Sequence, residues 1–302
     1  MQLIHLPIEI LINITEFLLT EDIMNLSICS KRFHDLLSVV KFKDEIDFEM
    51  ISGLTYFDSF TNIVYYRFNK SFPKSLQILS WCCLDNLPSQ LPDSLISLSL
   101  GGYHNQRLPK LPDSLKNLYL GSQYEQPLSQ LPNSLKSLDL GNYYNKSLPQ
   151  LPHSLKHLKL SISYDHPILQ LPDSLKSLNL GVYYDQPLPQ LPSSLKHLHL
   201  GWYYNQPLLQ FPNSLENLDL GYYYNQPLPQ LPNSLKTLDL SSRYNQPLPQ
   251  LPNSLKSLKL GRYYDQPLPQ LPDSLRSLRI WTSFRFSVLQ SNFTIEYIDC
   301  ND

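Results

Sequence analysis

Histidine, cysteine and carboxylate side chains are the first candidates for chemistry in this sequence, because they can bind metals or transfer protons. His197 and His199 are two residues apart, and His157 lies forty residues before His197. A structural zinc site needs four ligands, so one pair of neighbouring histidines is a weak match. The cysteines form no Cys-x-x-Cys pair and are Cys29, Cys82, Cys83 and Cys300. We therefore expect no metal and no other cofactor, and reduced thiols in a cytosolic compartment.

Arrangements typical of enzymes are also missing from the sequence. It has no Ser/His/Asp set, no pair of carboxylates suited to a cleft and no glycine-rich phosphate loop, and its 302 residues include 9 glycines, 26 prolines, 20 tyrosines and no alanine. The net charge of −2 lacks the basic excess of nucleic-acid-binding proteins. No apolar run approaches the ~18 residues of a membrane span, and no basic segment of a signal peptide precedes the apolar N-terminus. We expect a non-catalytic cytoplasmic protein that binds neither nucleic acid nor membrane.

A repeat of 20 residues dominates the chain. Nine units follow one another from Leu91 to Gln270 without an insertion, with the common text L-P-x-S-L-K-x-L-x-L-G-x-x-Y-N-Q-P-L-P-Q. A tenth begins at Leu271, and a degenerate unit runs from Pro73 to Gln90. The C-terminal segment matches again, with the positions of Ser-Leu-Leu-Leu taken by Thr294, Ile295, Ile298 and Cys300. A fixed period predicts a solenoid whose degenerate end units act as caps.

Each unit contains a short strand and a proline-rich return. Leu238 and Leu240 alternate with polar residues and are expected to point inward, and identical strands at a fixed period stack in parallel about 4.8 Å apart. The prolines of the return exclude a helix and favour extended backbone; they include Pro227, Pro229 and Pro232. The predicted fold is a mainly β solenoid of parallel strands with helix-free, proline-rich returns and a small α-helical module at the N-terminus.

Two further columns of the repeat are interpreted as structural. An aromatic ladder, expected to pack in the core, is formed by Tyr124, Tyr144, Tyr164, Tyr184, Tyr204, Tyr224, Tyr244 and Tyr264, and is interrupted by His104. The position directly after the ladder residue is Asn or Asp in every unit but one, which has Glu. Because Asn and Asp share an acceptor oxygen, this column is expected to accept backbone N–H groups at a turn.

The outward positions of the strands are the most varied part of the repeat. They are the candidate substrate-binding face, in which aromatic anchors accompany polar and charged residues: Tyr119, Asp139, Lys159, Asn179, His199, Trp202, Asp219, Tyr222, Asp239, Lys259 and Arg279. The alternative is that exposed positions vary because nothing constrains them.

A basic row precedes the strands. It consists of Lys116, Lys136, Lys156, Lys176, Lys196, Lys236, Lys256 and Arg276. It is interpreted as a solvated row that protects the structure from edge-to-edge association, or alternatively as a site for a polyanion or an acidic partner.

The repeat text resembles two known kinds of repeat. L-x-x-L-x-L followed by a proline-rich return resembles leucine-rich repeats, and Y-N-Q-P-L-P-Q-L-P-x-S-L is similar to the FNIP repeat of social amoebae and of giant viruses that infect amoebae. Phe68-Asn69 keeps the spelling that is common in that family, and the resemblance covers roughly residues 68–300.

Residues 1–45 have a different composition with helical spacing. A helix is predicted over residues 7–19, a second after Thr20 as N-cap, and a third from Ser30 through Leu36. The first helix is apolar on most of its circumference, so either the solenoid or another protein must cover it. The text L-P-x-E-I-L-x-x-I-x-x-F-L-x-x-x-D-I-x-x-L-S-I-C-S-K-R-F resembles the F-box.

The resemblance to the F-box implies docking on the Skp-type adaptor of an SCF (Skp–cullin–F-box) ubiquitin ligase. The residues carried over to that interface are Leu6, Pro7, Glu9, Ile10, Ile14, Leu18, Ile23 and Leu26. The predicted organisation is an F-box module at 1–45, a joint and N-terminal cap at 46–72, and a solenoid at 73–302 with regular units at 91–270 and a C-terminal cap at 281–302.

The function implied by the two resemblances is a substrate-recognition adaptor, in which the F-box binds the Skp-type adaptor of a cullin–RING ligase and the solenoid binds a target protein. Catalysis would belong to the partners. Two alternatives stay open: a viral decoy that occupies a host ligase without a substrate, and a scaffolding solenoid unrelated to a ligase.

Overall fold

The computed structural model describes residues 8–15, 18–29, 36–37, 40–51, 54, 57–66, 72–83, 85–285 and 293–298. The chain divides into two compact units, Met1–Gly121 and Ser122–Asp302. Within each unit, every strand pairs in parallel with a neighbour in the chain order. The predicted fold class, a mainly β solenoid with helix-free returns and a small helical module, is confirmed.

The first unit contains the helical module and five described strands. Its elements are α1 (Ile8–Thr15), α2 (Thr20–Cys29), β1 (Ile46–Asp47), α3 (Phe48–Ile51), a 3₁₀ turn (Phe57–Ser59), β2 (Asn62–Tyr65), β3 (Ile78–Trp81), β4 (Ser97–Leu100) and β5 (Asn117–Tyr119). Strand β1 pairs with β2, β2 with β3, β3 with β4 and β4 with β5. The unit is therefore a parallel stack that begins directly after the helical module.

The helical module differs from the sequence prediction in two details. Helix α1 spans Ile8–Thr15, and Leu18 and Leu19, which the prediction had included, are not helical; the Thr15 hydroxyl donates to the carbonyl of Ile12 at 2.6 Å. Such a bond from a threonine back to its own helix slightly weakens helical structure. Thr20 is the first residue of α2, but its hydroxyl does not act as a cap acceptor: both its hydroxyl and its backbone N–H donate to the carboxylate of Asp44, at 2.6 and 2.7 Å.

Asp44 therefore supplies the negative charge that favours a helix N-terminus. The bonds from the Thr20 hydroxyl and N–H hold the pKa of Asp44 below its usual value.

The third predicted helix lies mostly outside the described residues. Of that segment, Leu36 is described and fully buried.

Aromatic side chains fill the core around β1 and β2. Phe42 stacks on Phe60 with ring centroids 4.6 Å apart, and Phe48 stacks on Tyr65 at 4.3 Å. Phe42, Phe48, Phe60 and Tyr65 are fully buried, as is Trp81 of the degenerate repeat unit. Residues 46–72 thus contribute two paired strands and a packed core, while their role as a rigid joint stays a prediction.

The second unit contains the regular repeats and nine described strands. These are β6 (Ser137–Asp139), β7 (His157–Lys159), β8 (Ser177–Asn179), β9 (His197–His199), β10 (Asn217–Asp219), β11 (Thr237–Asp239), β12 (Ser257–Lys259), β13 (Ser277–Trp281) and β14 (Thr294–Ile298). From β6 to β13, equivalent residues of neighbouring units lie opposite one another, as Leu218 does to Leu238. The 20-residue period of the sequence is therefore the register of the sheet.

The register of the last strand corrects the sequence prediction. Strand β14 pairs with β13 as expected of a cap, but Ile295 lies opposite Leu278, whereas the repeat text aligned it with Leu275. The reason is that β13 extends to Trp281, so the five residues of β14 pair along its whole length. This register also places Glu296 beside Arg279, whose side chains form an ion pair at 2.5 Å. Cys300, part of the predicted alignment, lies outside the described residues.

The core of the second unit is built from leucines and the predicted tyrosine ladder. Inward strand residues such as Leu218 and Leu238 are buried. The tyrosines from Tyr124 to Tyr264 are at most 3% exposed, and their rings stack with centroids 6.1–6.3 Å apart. The interpretation of this ladder as core packing is confirmed.

Two polar ladders link neighbouring rungs. The side-chain oxygen of Asn205 accepts the backbone N–H of Asn225 at 2.8 Å, and the same bond recurs along the Asn/Asp column from residue 145 to residue 265. These side chains accept backbone N–H groups as predicted, but from the next rung rather than within their own turn. The serine of most P-x-S-L texts, for example Ser234, donates to a leucine carbonyl one rung earlier, here Leu215 at 2.6 Å. Polar positions of the repeat thus join rungs where strands do not.

Candidate functional site

The outward strand residues of the second unit form a continuous polar surface. On β11, Leu238 points into the core and the flanking Thr237 and Asp239 are half-buried, a pattern that recurs on the regular strands. Ten of the eleven predicted face residues lie in this unit and are described, while Tyr119 lies on β5 of the first unit and is 40% exposed. The regular repeat therefore displays its varied positions on one side of the strands.

Six of the predicted face residues form three polar pairs in the structure. Lys159 contacts Asp139 and Lys259 contacts Asp239, each with a nitrogen–oxygen distance of 3.0 Å. His199 Nδ1 lies 2.7 Å from a carboxylate oxygen of Asp219. In each pair the partners lie on neighbouring strands, because the register places them opposite one another.

Part of the variation on this face has a local structural role. The side-chain oxygens of Asp139, Asn179 and Asp219 each accept the backbone N–H of the glycine two residues later, at 2.8–2.9 Å. Asn and Asp are suited to such turns, in which the side chain bonds to the backbone two residues on. The choice of Asp or Asn at these three positions is therefore constrained by the turn. The alternative that nothing constrains the exposed positions is wrong for these three residues.

A groove of about 400 Å³ crosses the ends of strands β8 to β13. Its aromatic lining consists of Trp202, Tyr222 and Trp281. Backbone atoms of glycines that follow the strands also line it. Its polar lining includes four predicted face residues, His199, Asp219, Asp239 and Lys259. Trp202 is 52% exposed and its ring meets that of Tyr222 edge-on at 5.4 Å. A concave surface that combines aromatic side chains with a few charges is typical of a binding site.

A second exposed aromatic stack was missed by the sequence analysis. The rings of Tyr183, Tyr203 and Tyr223 stack at 5.2 and 5.0 Å, and the guanidinium of Arg243 lies 5.7 Å from the Tyr223 ring and 5.0 Å from the Tyr263 ring. Tyr222 touches this stack through Tyr223, with ring centroids 4.8 Å apart. The signal was the second tyrosine that several units carry directly before the ladder tyrosine, which the sequence analysis did not interpret. Aromatic and arginine side chains of this kind are enriched in protein interfaces.

The charged lining of the groove is electrostatically coupled. The hydrogen bond with Asp219 raises the pKa of His199 above its ordinary value of 6.5 and outweighs desolvation. Burial raises the pKa of Asp219, but the bonds from His199 and the Gly221 N–H outweigh it, so that pKa is lowered. Burial raises the pKa of Asp239, and the neighbouring Asp219 adds to that effect while Lys259 opposes it.

We expect the ring of His199 to titrate above pH 6.5, and Asp219→Asn to lower that pKa because the substitution removes the acceptor charge. A histidine with a raised pKa stabilises the fold below its unfolded pKa, and this contribution is lost as the pH rises through the folded pKa. Asp219, with a lowered pKa, contributes above its unfolded value and loses this contribution as the pH falls. The measurement is a pH titration of the histidine rings by NMR. Asp139→Asn, which removes a carboxylate paired with Lys159, serves as control, and equal shifts of His199 in both variants would contradict the assignment.

Metal-site and membrane chemistry find no support in the described part of the chain. There, no group of three or more His, Cys, Asp or Glu side chains is placed to hold a metal ion. Among the described helices none has the length and apolar character needed to cross a membrane.

The predicted adaptor-binding residues of the helical module are described only in part. Leu6 and Pro7 lie outside the described residues, as do the side chains of Glu9 and Leu26. Ile14 and Leu18 are half-buried and Ile23 is buried. Ile10 on α1, in contrast, is 45% exposed. Leu19, which the sequence analysis did not select, is 65% exposed. The module thus presents large apolar side chains at its surface, as a docking surface requires.

Comparison with protein families gives two matches along the chain. The FNIP repeat model matches residues 104–143, 144–183, 184–223, 204–243, 224–250 and 244–282, which together exceed half of the chain. Most of these matches span 40 residues, so one FNIP repeat corresponds to two of the 20-residue units. The F-box domain model matches residues 3–45. No curated protein sequence matches this chain significantly.

Two solved structures resemble the chain. CroV588, described as a circular leucine-rich-repeat protein, aligns with 86% of this chain at 32% identity and a TM-score of 0.72. YopM from Yersinia enterocolitica aligns with 78% of this chain at 25% identity and a TM-score of 0.54. The aligned part spans 42% of CroV588 and 56% of YopM, about half of the length of each.

Proposed function

Because this chain belongs to the FNIP repeat family and also carries an F-box domain, we propose that it is the substrate-recognition adaptor of an SCF-type ubiquitin ligase. The F-box binds the Skp-type adaptor of a cullin–RING ligase, and the solenoid binds a target protein. The protein itself acts as an interaction module, and ubiquitin transfer is the task of its partners. Cys82 and Cys83, which form no disulfide within the described part of the chain, suit a reducing cytoplasm.

One observation carries this proposal: an F-box match lies in the same chain as a solenoid with an exposed aromatic groove. The F-box match includes α1, where Ile10 is exposed. The groove presents Trp202 and Tyr222, the kind of side chain that dominates interface energetics. An adaptor needs both surfaces, one for the ligase and one for the target.

The adaptor function is tested by pull-down of a purified Skp-type adaptor with the full-length chain. The wild type is expected to retain it, and Ile10→Glu is expected to weaken the complex at least about tenfold, because a buried carboxylate without a partner costs more than 1.4 kcal/mol. Met50→Glu is the matched control, since Met50 is 72% exposed and lies outside the F-box match. Failure of the wild type to bind, or equal loss in both variants, would contradict the proposal.

The target-binding half is tested in cells by comparing proteins that accumulate when the chain is deleted. We expect at least one protein to accumulate in the deletion cells. The same protein should still accumulate when the deletion is complemented with the double variant Trp202→Ala/Tyr222→Ala. A chain that binds the cullin complex while no protein accumulates is a decoy. A chain that binds no Skp-type adaptor at all is a scaffold.

A further inference from the structure

Seven positively charged side chains of the second unit stand at equivalent positions of successive rungs and form one row, which we call the basic row. Each stands immediately before a strand, and its members are Lys136, Lys156, Lys176, Lys196, Lys236, Lys256 and Arg276. The backbone N–H of each member after the first donates to the carbonyl of the residue one rung earlier in the row, at 2.8–2.9 Å. The row is therefore fixed at the rung spacing of about 4.8 Å.

One position of the row carries the opposite charge. Glu216 stands between Lys196 and Lys236, and its two carboxylate oxygens lie 2.7 and 2.5 Å from their ammonium nitrogens. These two bonds lower the pKa of Glu216 to about 2. The row thus already contains a carboxylate held between lysines of neighbouring rungs, which shows that its spacing suits a carboxylate ligand.

The three lysines at the N-terminal end of this row are not used in this way. Lys136, Lys156 and Lys176 form no ion pair with any other described residue. Asp139, on the strand that directly follows Lys136, is paired with Lys159. Asp173 lies in the column before the row and offsets part of its charge, but not within 4.0 Å of a lysine nitrogen in the described structure.

The residues beside these lysines favour a protein ligand over a nucleic acid. The strand positions that follow them are Ser137, His157 and Ser177, which can donate hydrogen bonds but offer no Phe, Tyr or Trp ring. Proteins that hold single-stranded nucleic acids place such rings along the basic groove for base stacking. The net charge of −2 for the whole chain points the same way.

We propose that Lys136, Lys156 and Lys176 bind an acidic segment of a protein partner, with carboxylates of that segment between neighbouring ammonium groups in the manner of Glu216. This assignment depends on the proposed function in one respect: it takes the partner to be the target protein of the ligase. Charge complementarity of this kind guides encounter and register, while the aromatic groove supplies apolar contact.

The probe is a fluorescein-labelled peptide of glutamates, compared with a glutamine peptide of the same length, and binding to the full chain is measured by fluorescence anisotropy. The triple variant Lys136→Gln/Lys156→Gln/Lys176→Gln is expected to weaken binding of the glutamate peptide about tenfold, since each exposed ion pair contributes about a factor of two. The matched control removes the same charge from exposed lysines outside the row, as Lys74→Gln/Lys110→Gln/Lys146→Gln.

A variant with the opposite expected effect guards against a loss by misfolding. Glu216→Gln frees Lys196 and Lys236, and is expected to tighten binding of the glutamate peptide about fourfold, because two further ion pairs become possible. Equal weakening in the two triple variants, equal binding of the glutamine peptide, or no change in Glu216→Gln would overturn the assignment.

A labelled oligothymidylate is the third probe. If the oligothymidylate binds more tightly than the glutamate peptide, and its binding is lost in the variant Lys136→Gln/Lys156→Gln/Lys176→Gln, the row is a nucleic-acid site and the proposal is wrong. All these measurements use the isolated chain, so they leave the adaptor function to be decided by the pull-down.

Discussion

Tyr204→Ala is expected to lower the free energy of unfolding by about 3–5 kcal/mol, the usual cost of removing a buried aromatic ring. Tyr204 is fully buried, and its ring stacks between those of Tyr184 and Tyr224 with centroids 6.2 Å away on each side. Because neighbouring rungs hold the backbone on both sides, the structure can collapse only partly into the cavity. The measurement is urea-induced unfolding followed by circular dichroism.

Tyr204→Phe distinguishes the contribution of the ring from that of the hydroxyl. The Tyr204 hydroxyl is buried, and its only polar neighbour among the described residues, the Leu188 backbone, does not form a hydrogen bond of normal geometry with it. Removing an unpaired polar atom from a core costs little, so this variant is expected to stay within about 1 kcal/mol of the wild type. Tyr203→Ala, in the same rung but 43% exposed, is the surface control. A loss in Tyr204→Phe as large as in Tyr204→Ala would show that the ladder depends on the hydroxyls.

Gly221→Ala is expected to destabilise the protein by about 3–5 kcal/mol, near the upper end for a single substitution. Gly221 has a φ of +69°, which disfavours any side chain, and an added Cβ would lie 1.6 Å from the carbonyl oxygen of Gly201. The clash is with the backbone of the neighbouring rung, so the two rungs would have to separate. Gly221 lines the groove beside Tyr222, and the same substitution should therefore also disturb the candidate binding face.

Gly102→Ala is the control for that prediction. A Cβ at Gly102 meets nothing within 4 Å, so we expect a change within about 0.5 kcal/mol. Unfolding of the two variants in urea, compared with the wild type, gives both values. A loss of less than 1 kcal/mol in Gly221→Ala would mean that the rungs tolerate a wider spacing than the described structure has.

The periodic part of the fold could be predicted because every unit repeats the same physical argument. Leu238 and its equivalents must be buried, and a fixed period places each opposite its copy, so parallel strands in register follow from the text alone. The buried tyrosine ladder follows in the same way. The argument failed at the C-terminal end, where the repeat text is degenerate and β14 pairs three residues away from the alignment that the repeat suggested. In the helical module, which has no repeat, α1 spans Ile8–Thr15, and Leu18 and Leu19 lie outside it.

The candidate face was predicted in its location but not in its organisation. An outward column can be named from the alternation of a strand, yet nothing in the text states that Asp219 pairs with His199 rather than with Lys259. The stack of Tyr183, Tyr203 and Tyr223 was not foreseen at all, because exposed tyrosines in a repeat carry no sign of whether their rings meet.

By itself the sequence determined the family-level architecture: the number of residues in a rung, which side of the strand is buried, and the presence of an F-box beside a repeat domain. The rung length and the buried side of the strand follow from composition and period, which are local, and the F-box follows from the resemblance of its motif. The tertiary structure alone decided which outward side chains form ion pairs, where the aromatic groove lies, and that Glu216 occupies the basic row while Lys136, Lys156 and Lys176 do not share such a bond. These depend on contacts between side chains twenty residues apart, whose rotamers and distances are set only when the rungs stack.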